Sequence, residues 1–256
     1  MRVTVCELPH EPRALAAAWN ALCEHTWRHA SELVLLPEFA MVEPFWQDDH
    51  VDAARWKAAE ALSEAWQHRL HELRVAHVVG TRSITIDSRP FNQGFLWSAP
   101  GDITPLRRKF YLPDEPGSWE ARWFDRGDPD FPDYQAGAAS FGLNICTELW
   151  ALDTYAAYAA RGIQLILSPR ATAAATTAKW LSVGVVAAVR SAAFSLSSNR
   201  VDPTGACGGA GWIIDPHGNI LAQTNDAAPF ATVNIDLSAS TSARNEYPGY
   251  VFSGRP

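Results

Sequence analysis

Long apolar runs are missing from this sequence. Across its 256 residues charge or proline breaks every candidate before the ~20 residues that a membrane-spanning helix needs. Basic residues are also scarce: 21 Lys and Arg stand against 28 Asp and Glu, a formal net charge of −7. The one basic cluster is Arg107-Arg108-Lys109. Nucleic-acid and polyanion partners need a dense basic surface, so that class is excluded. The four cysteines, Cys6, Cys23, Cys146 and Cys207, form no C-x-x-C pair. They read neither as a disulfide framework nor as a zinc site, and no other metal-ligand spacing stands out. Met1 to Glu7 runs straight into a strand-like pattern without the features of a signal peptide. These absences predict a soluble, cytoplasmic protein.

What is present is globular. Hydrophobic residues make up 47% of the chain and charged ones 19%, with eleven tryptophans to fill a bulky core or wall aromatic pockets. Strand and helix patterns alternate. Val3 to Leu8 reads as a strand and Pro12 to Ala30 as a helix. Leu33 to Leu36 is an apolar run of the kind buried on both faces, and it ends at Pro37-Glu38. Asp52 can cap a helix to about Leu73. Val75 to Ile86 and Phe95 to Ser98 read as strands joined by a turn around Arg89-Pro90, and Arg107 to Asp130 as loop. A strand ending at Cys146 follows, then a helix (Leu152 to Ala160), a strand (Ile163 to Leu167) and a helix (Thr177 to Phe194). The tail adds strands at Leu196 to Asn199, Trp212 to Ile214, Ile220 to Gln223 and Phe230 to Ile235. No linker or repeat divides the chain, so one α/β domain over residues 1–256 is expected.

Within this pattern Gly142-Leu-Asn-Ile-Cys146-Thr-Glu148-Leu-Trp150 holds the most information. It places a thiol where a buried strand breaks into polar residues. On its own such a cysteine is most often a small core residue. As a nucleophile it needs a base, donors for an oxyanion and a shaped pocket. None of the eight histidines stands in an obviously catalytic context. Glu38 does better, because active sites of α/β folds collect at the carboxyl ends of buried strands. Lys109 and Glu120 follow in a loop rich in charge, although each alone would be an ordinary solvated group.

Leu33-Val-Leu-Leu-Pro-Glu38, Arg108-Lys109-Phe-Tyr-Leu-Pro113 and Gly142 to Glu148 resemble the three ordered blocks of the nitrilase (carbon–nitrogen hydrolase) superfamily. Asp114 to Gly127 resembles that family's loop carrying a second glutamate, and the likeness runs on through Leu167-Ser-Pro-Arg-Ala171 and Trp212 to Gly218. The resemblance implies a four-layer α-β-β-α sandwich, a homodimer or higher homo-oligomer, and no cofactor or metal. It implies Cys146 as nucleophile, Glu38 as base, Lys109 and the Thr147 N–H as oxyanion donors, and Glu120 as the group orienting Lys109. Glu115 lies in the same loop as an alternative, with Glu120 favoured by the spacing to Phe124 and Gly127.

Other residues keep two readings. Glu148 meets a substrate polar group or, in first place, ties down a helix start. Trp150 and Trp46 wall a pocket or fill core. Arg170 meets a substrate carboxylate or pairs with a carboxylate of the protein, and Asn199-Arg200 end a strand that should approach the same site. Cys6, Cys23 and Cys207 are expected to be structural. In the resembling family a Trp-Glu pair after the nucleophile goes with nitriles, so Thr147-Glu148 favours an amide. An N-carbamoyl substrate is the runner-up, supported by the Asp114-Glu-Pro-Gly117 loop, and a nitrile comes after it. From another class, a catalytically silent binding or scaffold protein would need none of Glu38, Lys109 and Cys146.

Overall fold

Alternation along Arg2–Leu8 (β1) turns Val3 and Val5 to one side and Cys6 and Leu8 to the other, and both sides are buried. In the computed structural model of this chain, which describes residues 1–252, β1 is the seam between two sheets. In the first sheet β1 runs parallel to β2 (Leu33–Leu35), which runs parallel to β3 (His77–Ile86). β4 (Arg89–Ser98) and β5 (Asp102–Arg108) extend it antiparallel, and β12 (Phe230–Asn234) closes on the far side of β1. In the second sheet β6 (Asp133–Ala136) pairs antiparallel with β7 (Ala139–Leu143), followed by parallel β8 (Leu165–Arg170) and β9 (Phe194–Arg200). β10 (Trp212–Ile214) and β11 (Ile220–Gln223) complete it. The last residues of β1, Glu7 and Leu8, pair with Asn199 and Arg200 of β9 and join the two sheets.

Val3, Val5, Leu35, Val79 and Leu96 from the first sheet meet Phe141, Leu143, Leu165, Leu167 and Leu196 from the second in one apolar layer. On the outer face of the first sheet, α1 (Pro12–Arg28) packs Leu15, Trp19 and Leu22 on Cys6, Val34 and Val78. Outside the second sheet, α4 (Asp153–Arg161) and α5 (Thr177–Ser191) pack Tyr155, Tyr158, Val183 and Ala187 on Ile166, Trp212 and Ile214. This is the expected helix–sheet–sheet–helix sandwich. Two glycines let its layers close: a Cβ on Gly94 would lie 2.3 Å from Leu143, and one on Gly142 the same distance from the Tyr158 ring. No helix among the described residues is long and apolar enough to cross a membrane.

Several boundaries differ from the sequence expectation. The β3–β4 turn is Asp87-Ser88, both in the left-handed region, and Pro90 already lies in β4 opposite Thr85. β5 extends through Arg107 and Arg108, which read as loop because charge and Pro105 mask an edge strand. α2 (Ala53–Gln67), capped by the Asp52 carboxylate on the Ala54 N–H at 2.7 Å, stops six residues early, and a separate short turn covers Leu70–Leu73. The short helix α3 (Glu120–Trp123), strand β6 and helix α6 (Ser238–Asn245) carry patterns too short or too polar to be expected. The last four residues of the expected domain, 253–256, lie outside the described residues.

Candidate active site

Five strand ends converge. Glu38 follows β2, Lys109 follows β5, Cys146 follows β7, and Arg170 and Arg200 close β8 and β9. All five side chains are buried. Cys146 sits in the left-handed region at φ 49°, where the chain leaves the strand and turns through Cys146–Trp150. That conformation is costly for a residue with a side chain and persists only where the surroundings impose it. The turn's backbone hydrogen bonds run from the Glu148 N–H to Ile145 and from the Ala151 N–H to Glu148, and the Thr147 N–H stands outside them.

The Lys109 ammonium donates to Glu38 Oε1 at 2.9 Å and to both oxygens of Glu120 at 2.9 and 2.7 Å. Asn92, buried in β4, gives its side-chain N–H to the same Glu38 Oε1 at 2.8 Å. Glu38 Oε2 and Asn92 Oδ1 are buried with no hydrogen-bond partner among the described residues. Burial opposes the Lys109 charge, but Glu120 and Glu38 outweigh it and hold the ammonium above the ordinary lysine range. Burial pushes the Glu120 carboxyl up to about 7, against the pull of Lys109. The Cys146 thiol is raised well above its usual range, chiefly by burial and then by Glu38, with Lys109 and the Ala171 N–H opposing. The resting sulfur is therefore protonated, beside a carboxylate with one free oxygen.

Glu120 reaches Lys109 because Gly127 lets the loop lie flat on the strand end. A Cβ on Gly127 would fall 2.3 Å from the Arg108 carbonyl, and the Gly127 N–H donates to the Lys109 carbonyl at 2.9 Å. Glu115 is exposed in a turn closed by Ser118. Glu148 is buried and fully engaged: Oε1 accepts from the Phe110 N–H at 2.7 Å, while Oε2 accepts from the Ile145 N–H at 2.9 Å and from Arg107. It ties the turn bearing Cys146 to the strand end bearing Lys109. Arg170 makes no ion pair. Its guanidinium donates to Ser197 Oγ, Thr172 Oγ1 and the Ala210 carbonyl at 2.7 to 2.8 Å, and its Cζ lies 4.1 Å from the centre of the Trp212 ring. Burial lowers it to about 9. Its backbone carbonyl accepts from the Glu38 N–H at 3.2 Å, so β8 also holds the residue after Pro37.

Arg200 donates to the carbonyls of Phe39 and Val42 and anchors the segment after Glu38. Trp46 is buried against Phe39, with ring centres 5.0 Å apart, whereas Trp150 is half exposed and meets Trp180 edge-on at 5.6 Å. Cys6 and Cys207 are buried and Cys23 is partly so, each thiol raised by burial. Asn92 and Arg107 escaped the sequence reading. The only trace of Asn92 was a polar pair, Asn92-Gln93, inside an apolar strand next to Gly94.

Fold and cluster together describe an α/β sandwich with a buried thiol–carboxylate–ammonium centre at its strand ends. The chain belongs to the carbon-nitrogen hydrolase family, whose pattern matches residues 2–245. Over 81 residues it is 32% identical to the N-carbamoylputrescine amidase of Solanum lycopersicum and 30% to that of Arabidopsis thaliana. That stretch is 32% of this chain and spans only 27% of the length of either relative. Among solved structures, a carbon-nitrogen hydrolase from Helicobacter pylori superposes with a TM-score of 0.86 at 19% identity, covering 98% of this chain and 94% of that one. A variant of the amidase from Nesterenkonia sp. AN1, carrying the product of Michael addition of acrylamide at its active-site cysteine, gives 0.74 at 18% identity, with 96% and 97% covered. At those identities the likeness shows the fold.

Proposed function

We propose that this protein hydrolyses a carbon–nitrogen bond, other than a peptide bond, in a small amide. The observation that carries this reading is the single free oxygen of Glu38, held beside a protonated Cys146 by a lysine that is itself pinned by Glu120. Because the thiol is not a resting thiolate, its proton leaves as the bond forms. Cys146 Sγ attacks the carbonyl carbon while Glu38 Oε2 takes the proton. Negative charge builds on the carbonyl oxygen between Lys109 Nζ and the Thr147 N–H. The contact with both Glu120 oxygens can be met by one N–H of the ammonium, which leaves one for that oxyanion. Collapse breaks the C–N bond, the nitrogen leaves with the proton from Glu38, and a thioester remains. Water attacks the thioester and gives its proton to Glu38, which returns it to the sulfur as the acid departs.

Thr147 after the nucleophile supports an amide over a nitrile. The N-carbamoyl reading is the second choice, supported by the partial likeness to enzymes named N-carbamoylputrescine amidase. Glu148 belongs to the scaffold in this reading, since both its oxygens are spoken for, and Arg170 braces β8 and is not a substrate ligand. The exposed Trp150, Leu152 and Val186 beside the site give the expected homodimer an apolar face. The test is ammonia release from matched small amides, N-carbamoyl amines and nitriles, with intact mass measurement of the acyl-enzyme. Amide turnover that vanishes in Cys146→Ala supports the proposal. Nitrile turnover exceeding amide turnover, or activity surviving in Cys146→Ala, overturns it.

A further inference from the structure

The two oxygens of Glu38 are not equivalent. Oε1 is saturated, receiving Lys109 Nζ at 2.9 Å and Asn92 Nδ2 at 2.8 Å, while Oε2 has no partner among the described residues. Without Asn92 a carboxylate held only by Lys109 could rotate about its last bond and present either oxygen to the ammonium, which would leave the basic oxygen undefined. The amide N–H removes that freedom, because it offers a second donor on one side only. The reverse orientation of the Asn92 amide would set its carbonyl against the carboxylate, so the hydrogen-bond network fixes which way it points.

Asn92 is itself held. It is 1% exposed, and its backbone carbonyl accepts from the Lys109 N–H at 2.8 Å. The same residue thus aligns the backbone of the lysine and the side chain of the base. The β4–β5 pairing shifts register between Gln93 and Phe95, immediately after Asn92 and opposite the end of β5. Such irregularities commonly re-aim a side chain next to a functional centre.

We infer that Asn92 is a positioning residue that selects Glu38 Oε2 as the oxygen handling the proton. The inference rests on the amide-hydrolase reading above. The charged and titratable groups facing Glu38 are Lys109 from β5, Glu120 from α3, Cys146 from the turn after β7, Arg200 from β9 and Cys207 from the loop beyond it. None of these donates to Glu38 Oε2, so none duplicates the selection.

The test uses the whole protein, a small amide as substrate, and iodoacetamide as a probe of Cys146 read by peptide mass. Asn92→Asp keeps the shape but replaces the N–H donor with a second carboxylate oxygen facing Glu38. Two carboxylates so placed share a proton, and the acidic limb of the kcat profile should move up by about one pH unit or more, with the iodoacetamide profile following it. Asn92→Ala should lower kcat by about tenfold or more with KM nearly unchanged, since a base is misaligned and no substrate contact is removed. Thermal melts report whether each variant folds, and the isosteric Asp variant keeps the test open if the Ala variant does not.

Asn92→Asp profiles that superimpose on wild type, with kcat intact, would overturn the inference. Failure of the amide-hydrolase reading looks different. Wild type itself would then release no ammonia and label Cys146 no faster than Cys23, and the assignment of Asn92 would fall with it.

Discussion

Two buried ion clusters flank Cys146, both built from β5, and they are put together differently. Arg107 pairs with Glu148, and every oxygen of that carboxylate is also committed to backbone N–H groups. Lys109, two residues on, pairs with Glu38 and Glu120, and one Glu38 oxygen is left without a partner in a place that water cannot easily reach. A buried charge is costly unless paired and hydrogen-bonded. Where satisfaction is complete, the pair can only hold chain segments together. Where it stops one atom short, the protein keeps an acceptor whose partner must come from elsewhere, and that is where a proton can move. Residue types do not separate the two clusters; the count of partners does.

The comparison can be broken by substitution. The largest effect on turnover is expected from Glu38→Gln, which removes the free basic oxygen. Amide hydrolysis should fall by about 10² to 10⁴-fold with only a modest change in melting temperature. Lys109→Met comes next. Loss of an oxyanion donor should cost about a hundredfold or more in kcat, and Glu38 and Glu120 should then share a proton, raising the acidic limb of the pH–rate profile. Glu148→Gln should reverse the balance. It strands Arg107 in a buried site and should cost about 3–5 kcal/mol of stability, read as a large drop in the denaturation midpoint, with activity falling only as far as the turn is displaced. A Glu148→Gln protein of full stability and no turnover would erase the distinction.

The smallest effect is a pH dependence. Glu120 is raised from its ordinary value to about 7, so between about 4.5 and 7 the folded state holds a proton that the unfolded state has lost. Stability from this group is complete at the acid end and declines as pH rises through that window. Glu120→Gln removes the group, and its melting temperature should fall less steeply from pH 5 to pH 7 than that of wild type. Parallel curves would show that Glu120 does not carry this linkage.

Much of the fold could be read because its signals are local. Alternation in β1, the apolar run before Glu38, the Asp52 cap and the patterns of α4 and α5 all follow from a few consecutive residues. β5 and α3 were hidden by charge, yet those charges are what the clusters require. Glu38, Lys109, Glu120 and Cys146 stood out through ordered motifs, and the choice between Glu115 and Glu120 rested on spacing alone. Glu148 and Arg170 kept two meanings because a sequence shows which groups can bond and not how many bonds they make. Asn92 left almost no trace, since one asparagine in a strand has no periodicity to betray it.

By itself, then, the sequence determined the kind of chain this is: strands and helices that must bury two sheets face to face, with a thiol, carboxylates and an amine at strand ends. Only the tertiary structure decided what each buried charge does. Lys109 and Glu38 are 71 residues apart, and Arg107 and Glu148 are separated by 41. Which carboxylate keeps a free oxygen depends on donors brought in from β4, β5 and the turn after β7, and no local pattern encodes that meeting.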